Sequence, residues 1–91
     1  MQAMKSAKVY VAVNVHFTEE GRMLPRSLVW EDGLEYEIDR VKDIRPTYAQ
    51  KAGGQGDRYT IMVNGRERYI FFEHSPEYGM KCVGRWFCER R

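Results

Sequence analysis

Four residues in this chain have the chemistry of metal ligands: His16, His74, Cys82 and Cys88. None falls at the Cys-x-x-Cys or His-x-x-x-His spacing that brings two donors to one ion. His16 sits among apolar neighbours and reads as ordinary strand packing, so neither a metal nor a cofactor is expected. A Cys82–Cys88 disulfide is excluded in an extended segment. Six residues of strand span about 20 Å, against the ~4.4–6.8 Å between Cα atoms that a bridge allows. Both cysteines are expected to be free thiols. Nucleophilic catalysis needs Ser, Cys or Thr beside a His that a carboxylate orients, and the two histidines stand outside any such motif. Glu35, Glu37 and Asp39 alternate along what reads as one strand, which describes a solvated face rather than a paired acid and base. No catalytic residue is assigned, and the chain reads as a non-enzyme.

Anion recognition is better represented. The stretch Arg45–Arg58, RPTYAQKAGGQGDR, gathers Arg45, Lys51 and Arg58 around Gly53, Gly54 and Gly56. Glycine amides approach a phosphate closely. The stretch lacks a Gly-Lys-Ser/Thr ending and a following helix, so it is neither a P-loop nor a dinucleotide fingerprint. Two readings stand, a plain connection between strands and a phosphate cradle. Charge is also uneven along the chain. Glu19–Asp39 holds seven acids and two bases, a balance of −5, whereas Arg40–Phe72 holds seven bases and three acids, a balance of +4. Interleaved tyrosines give the second half the composition of a single-strand nucleic-acid face. The competing reading makes Tyr59, Tyr69 and Trp86 plain core. Candidate contacts to nucleic acid or to a protein partner are Arg45, Lys51, Arg58, Arg66, Arg68 and Arg85. Glu35 and Glu37 form a candidate acidic docking face for a basic partner.

The elements that must position these residues are strands. Val9, Val11, Val13, Val15 and Phe17 alternate with polar residues through Lys8–Thr18, the period of a strand with one buried face. Leu24–Glu31 continues with Leu28 and Trp30 on one side, and Pro25, which cannot donate to a ladder, means that the strand begins there or lies on an edge. Asp32-Gly33 signals a hairpin, and the chain returns with Leu34, Tyr36 and Ile38 inward. The phase slips after Asp39, which predicts a bulge or sharp bend over Asp39–Lys42. Asp57–Asn64 and Arg66–Glu73 form a second hairpin about Asn64-Gly65, and Lys81–Glu89 closes the chain with Val83, Trp86 and Phe87. Strands and tight turns without a useful amphipathic helix predict an all-β fold, a small antiparallel barrel or rolled sheet of five to six strands, SH3-like in scale. The alternative is an OB-like barrel, which needs Thr47–Ala52 as its helix. Residues 1–7 read as a flexible N-terminus and 8–91 as a single small domain.

Composition agrees with a thin-cored globular domain: 91 residues, 43% hydrophobic, 31% charged, net charge +2. That charge is too small to argue nucleic-acid binding by itself. No apolar run reaches the ~18–20 residues of a membrane helix, and Met1–Lys8 lacks the apolar stretch of a signal peptide. A cytoplasmic protein without a membrane partner is expected.

The segments Trp30–Pro46 (WEDGLEYEIDRVKDIRP), Lys51–Thr60 (KAGGQGDRYT), Gly65–Glu73 (GRERYIFFE) and Arg85–Glu89 (RWFCE) together resemble a family of short bacterial proteins. The resemblance runs from Val9 to nearly the end of the chain, and its motifs are structural rather than catalytic. Thr47-Tyr48 departs from a more usual pair of small residues, and Ser75–Lys81 looks like an insertion. Members are often encoded beside Y-family translesion DNA polymerases. The resemblance therefore implies an accessory in DNA repair, with such a polymerase as protein partner, and it transfers no site residue.

Overall fold

Alternating β-branched and polar residues build this protein from strands. The computed structural model describes residues 7–47, 56–74 and 82–90, and these contain no helix. The strands are β1 (Ala7–Phe17), β2 (Met23–Val29), β3 (Glu35–Glu37), β4 (Arg40–Thr47), β5 (Gly56–Val63), β6 (Arg66–His74) and β7 (Gly84–Arg90). All neighbours are antiparallel, in the order β3-β2-β1-β7-β6-β5-β4. Ala7 already opens β1 opposite Arg90, one residue earlier than the sequence boundary.

Two handovers roll this sheet. β1 pairs with β7 from Ala7 to Val11 and with β2 from Ala12 to Phe17, so one strand serves two half-sheets. At the opposite corner the chain leaves β3, held on β2, and enters β4, held on β5. Ile38 N–H donates to the Arg26 carbonyl (2.9 Å) and Asp39 N–H to the Met62 carbonyl (2.7 Å). The end strands of the sheet are thus consecutive in the chain, and the sheet curls into a half-barrel. The all-β rolled sheet matches the sequence expectation. The described residues hold seven strands, above the five to six expected, because the third expected strand is cut at Ile38–Asp39. Of the helix an OB-like barrel requires, Thr47 instead closes β4, and 48–52 lie outside the described residues.

The predicted phase slip is present. Val41 faces Ile61 and Asp43 faces Thr60, which leaves Lys42 as the extra residue of a bulge. A second bulge at Arg26 lies beside Pro25, where a missing donor is tolerated. Asn64 (φ 52°) and Gly65 (φ 75°) both take the left-handed conformation that a two-residue hairpin of matching twist requires.

Inside the roll, Leu28, Tyr59, Ile61, Val63, Ile70, Phe72, Trp86 and Cys88 form the core, with Val11, Val13, Val15, Trp30, Tyr36 and Val41 packed against it. Phe17, Val83 and Leu34, all expected inside, do not join it; they are 64%, 78% and 59% exposed. Phe17 is the last residue of β1, opposite Met23 at the start of β2, and Val83 precedes β7. The Tyr59 hydroxyl donates to the Met23 carbonyl (3.1 Å), tying β5 to the far end of β2 across the interior.

Close packing is strictest at Gly84. A Cβ there would meet Phe72 Cζ and lie 2.6 Å from the Glu73 carbonyl oxygen. Because backbone cannot yield as a side chain can, Gly84→Ala should cost about 2–3 kcal/mol. Tyr59→Phe, which removes one hydrogen bond without a cavity, should cost about 1 kcal/mol. Urea unfolding of both variants checks the order, and a cost for Gly84→Ala no larger than for Tyr59→Phe would contradict this packing.

Candidate nucleic-acid interface

Alternation along each strand sends every second residue to the outer face, and the ladder registers decide which of them become neighbours. Tyr10 of β1 faces Phe87 of β7, Phe87 faces Phe71 of β6, Phe71 faces Arg58 of β5, and Arg58 faces Arg45 of β4. This is one transverse row across five strands: three aromatic rings, then two guanidinium groups. At about 4.8 Å per strand it runs about 19 Å around the outside of the roll.

Ring contacts fix the row. Phe71 and Phe87 stack with centroids 5.0 Å apart and planes 10° apart, and Tyr10 meets Phe87 edge-on at 5.9 Å. Phe87 is fully buried, so it serves as the foundation, while Tyr10 (39%) and Tyr69 (48%) stay exposed. Cations lie over these rings. The Arg85 guanidinium is 3.5 Å from the Tyr10 centroid, Arg58 is 4.7 Å from Tyr69, and the Lys8 ammonium is 4.9 Å from Phe87. Arg58 Nε is shut away from solvent without a hydrogen-bond acceptor among the described residues.

The acids nearby are engaged. Glu73 accepts from Lys8 (3.1 Å) and from the Tyr10 hydroxyl (2.9 Å), Asp43 holds Arg45 Nε (2.7 Å), and Glu67 holds Lys42 (2.9 Å). No carboxylate of the described residues forms an ion pair with Arg58 or Arg85. The outer face therefore carries two guanidinium groups over tyrosine rings, Arg85 exposed and Arg58 half-buried. Chemically it can accept phosphates on the cations and bases on the exposed rings and guanidinium planes.

The candidate residues from the sequence separate into groups. Arg45, Arg58 and Arg85 meet on the outer face. Arg66 and Arg68 do not join them; they stand opposite Val63 and Ile61 and so project to the inner side. Lys51, Gly53 and Gly54 lie outside the described residues. Of the acidic pair, Glu35 accepts from Ser27 Oγ (2.8 Å) and Asn14 Nδ2 (3.2 Å), whereas Glu37 is exposed on β3. Tyr69 is a surface residue, while Tyr59 and Trp86 are core, with centroids 4.9 Å apart. Sequence reasoning missed Tyr10, Phe71 and Phe87 as a unit. A signal existed in Tyr10, an aromatic in the polar phase of β1.

The remaining ligand-type residues are dispersed. His16, opposite Leu24 in the ladder, is exposed rather than packed as the sequence suggests. His74 Nε2 lies 3.3 Å from Asp57. No group of three or more His, Cys, Asp or Glu gathers among the described residues. Cys82 is exposed and Cys88 buried, both free. Burial pushes the Cys88 thiol up to about 11 from an ordinary 9.0; the Arg68 guanidinium opposes the shift and Glu31 adds to it.

Comparison of the chain with protein-family models, with curated proteins and with solved structures returns no match. No described helix is long and apolar enough to cross a membrane.

Thiol chemistry tests the burial of Cys88. A thiol reagent at neutral pH should label Cys82 in the folded protein and reach Cys88 only on unfolding. The raised folded value means that the unfolded state loses the Cys88 proton first. Its contribution to stability is thus complete below pH 9.0 and is lost as pH rises towards 11. The urea midpoint of the natural protein should fall over that window more steeply than that of Cys88→Ala. Parallel profiles would contradict the assignment.

Proposed function

We propose that this protein is a non-enzymatic module that binds single-stranded nucleic acid across the outer face of β4, β5, β6, β7 and β1. The observation that supports this most is the transverse row from Tyr10 through Phe87 and Phe71 to Arg58 and Arg45, flanked by Arg85 on Tyr10 and by Tyr69 under Arg58. Phosphates are met by Arg45, Arg58 and Arg85, and bases stack on Tyr10, Tyr69 and the guanidinium planes. Stacking is indifferent to base identity, so little sequence preference is expected. This agrees with the repair role that the family resemblance implies, since translesion synthesis works on single-stranded template.

A second reading is a protein partner with an acidic extended segment. It is favoured by a cleft of about 560 Å³ between β2 and β4, lined by Arg22, Arg26, Arg40 and Lys42 with Asp39 and Asp43. No ladder joins those two strands, so β4 carries an unpaired backbone edge among the described residues. A Y-family polymerase, the partner implied by the resemblance, belongs to this reading.

Titration of the protein with oligothymidylate separates the two. Three phosphate contacts should give a slope of log affinity on log salt of about −2, at roughly −0.7 per contact on a single strand. Arg58→Ala with Arg85→Ala should reduce that slope by about 1.4. Tyr69→Ala should lose about 1–3 kcal/mol. Charge reversal at Arg26 and Arg40 should leave oligonucleotide binding in place. No binding at low ionic strength overturns the nucleic-acid reading.

A further inference from the structure

Two arginines occupy positions that a rolled sheet ordinarily gives to apolar residues. Arg68 stands opposite Ile61 and Arg66 opposite Val63, and cross-strand partners share a face. Ile61 and Val63 are core, so both arginines project to the inner side of β6 where it runs out towards the Asn64-Gly65 turn. There they line a cleft of about 570 Å³ at the end of the half-barrel. Its floor is Leu28, Ile61, Val63 and Ile70, and its walls include the half-buried rings of Trp30 and Tyr36.

Asp32, Glu67 and Glu89 also line the cleft, and each is already engaged. Asp32 accepts the Tyr36 hydroxyl on one oxygen (2.8 Å) and the Leu34 N–H on the other (2.9 Å). Glu67 holds Lys42, and Glu89 stands opposite Lys8 in the outer phase. Glu31 meets Arg90 at 3.5 Å. Neither Arg66 nor Arg68 forms an ion pair with a described residue. The hydrogen bond to Asp32 raises the Tyr36 phenol above its ordinary value, against the opposing charge of Arg68.

We infer that this cleft binds a small organic anion, a flat apolar body carrying one acidic group, with the acid on Arg66 and Arg68 and the body on the apolar floor between Trp30 and Tyr36. Its size suits a small molecule, and the mouth of a β-barrel is a usual place for one. Two unpaired guanidinium groups select an anion, and each can grip an oxyacid through two parallel hydrogen bonds. An arginine that merely shields the core would lay its stem over the floor and keep its head in water. The two roles differ in what binding measurements read. This site is separate from the outer face and does not depend on nucleic-acid binding there.

Anilinonaphthalene sulfonate is the probe, followed by its fluorescence on the full chain. About one dye per chain should bind, displaced by naphthoate or naphthyl phosphate and not by inorganic phosphate alone. The stronger of the two competitors identifies a carboxylate or a phosphate as the preferred acid. Arg66→Ala with Arg68→Ala should weaken the dye at least about tenfold. Arg58→Ala with Arg85→Ala should leave it unchanged. Should the inner double variant fail to fold, Arg66→Lys with Arg68→Lys keeps stem and charge while removing the paired hydrogen bonds, and should still weaken binding several-fold. Dye affinity unchanged in the inner variants, or lost equally in the outer ones, overturns the site.

Discussion

The apolar side of this sheet, from Val11 and Leu28 round to Ile61, Phe72 and Trp86, has no described helix to cover it, and it is buried because the sheet turns onto itself. Rolling requires two corners. β1 supplies one by changing partner at Val11–Ala12, and Ile38–Asp39 supplies the other by carrying the chain from one end of the sheet to the opposite end. The second corner is the tighter constraint, because both of its amides must find carbonyls on different strands. They do so on Arg26 and Met62. The Tyr59 hydroxyl on Met23 adds a polar tie across the interior, where no ladder links β5 to β2.

Rolling also makes the two faces chemically unlike. The inner face is concave and fills with its own side chains, while the outer face spreads rings and cations around a convex arc. A net charge of +2 hides this, because the local excess depends on which carboxylates are engaged. Glu73, Asp43 and Glu67 each hold a cation, and Arg58 and Arg85 lie on tyrosines instead. A guanidinium held over a ring has lost part of its rotamer freedom before any ligand arrives, which lowers the ordering cost of binding. All three outer arginines also sit on strands rather than loops, so their spacing follows from ladder geometry.

Incomplete closure explains the two clefts. Between β2 and β4 the wall lacks a ladder, and the opening is basic. At the end of the roll, the Asp32-Gly33 and Asn64-Gly65 turns lie on either side of an apolar floor that Arg66 and Arg68 flank. A fully closed barrel of this size fills its interior with side chains and has no such recess. The features available for binding are therefore the places where a short sheet falls short of closing.

Much of the fold was legible in the residues because side-chain alternation and turn chemistry are local. The valines of β1, the Asn64-Gly65 hairpin and the slip after Asp39 each follow from periods of two and from the backbone freedom of particular residues. The slip pointed to the bulge at Lys42, without showing that the chain crosses from β2 to β5 just before it, at Ile38–Asp39. Candidate sites were less legible. Arg66 and Arg68 read from sequence as partners of Arg58, and only the register opposite Val63 and Ile61 sends them inward. Tyr10, Phe71 and Phe87 are distant along the chain and become one row because β7 inserts between β1 and β6. Local patterning determined that there would be strands, where they turn, and which side of each is apolar. Tertiary structure decided which strands are neighbours and thus which charges share a face, because pairing depends on how the whole apolar surface can be buried at once.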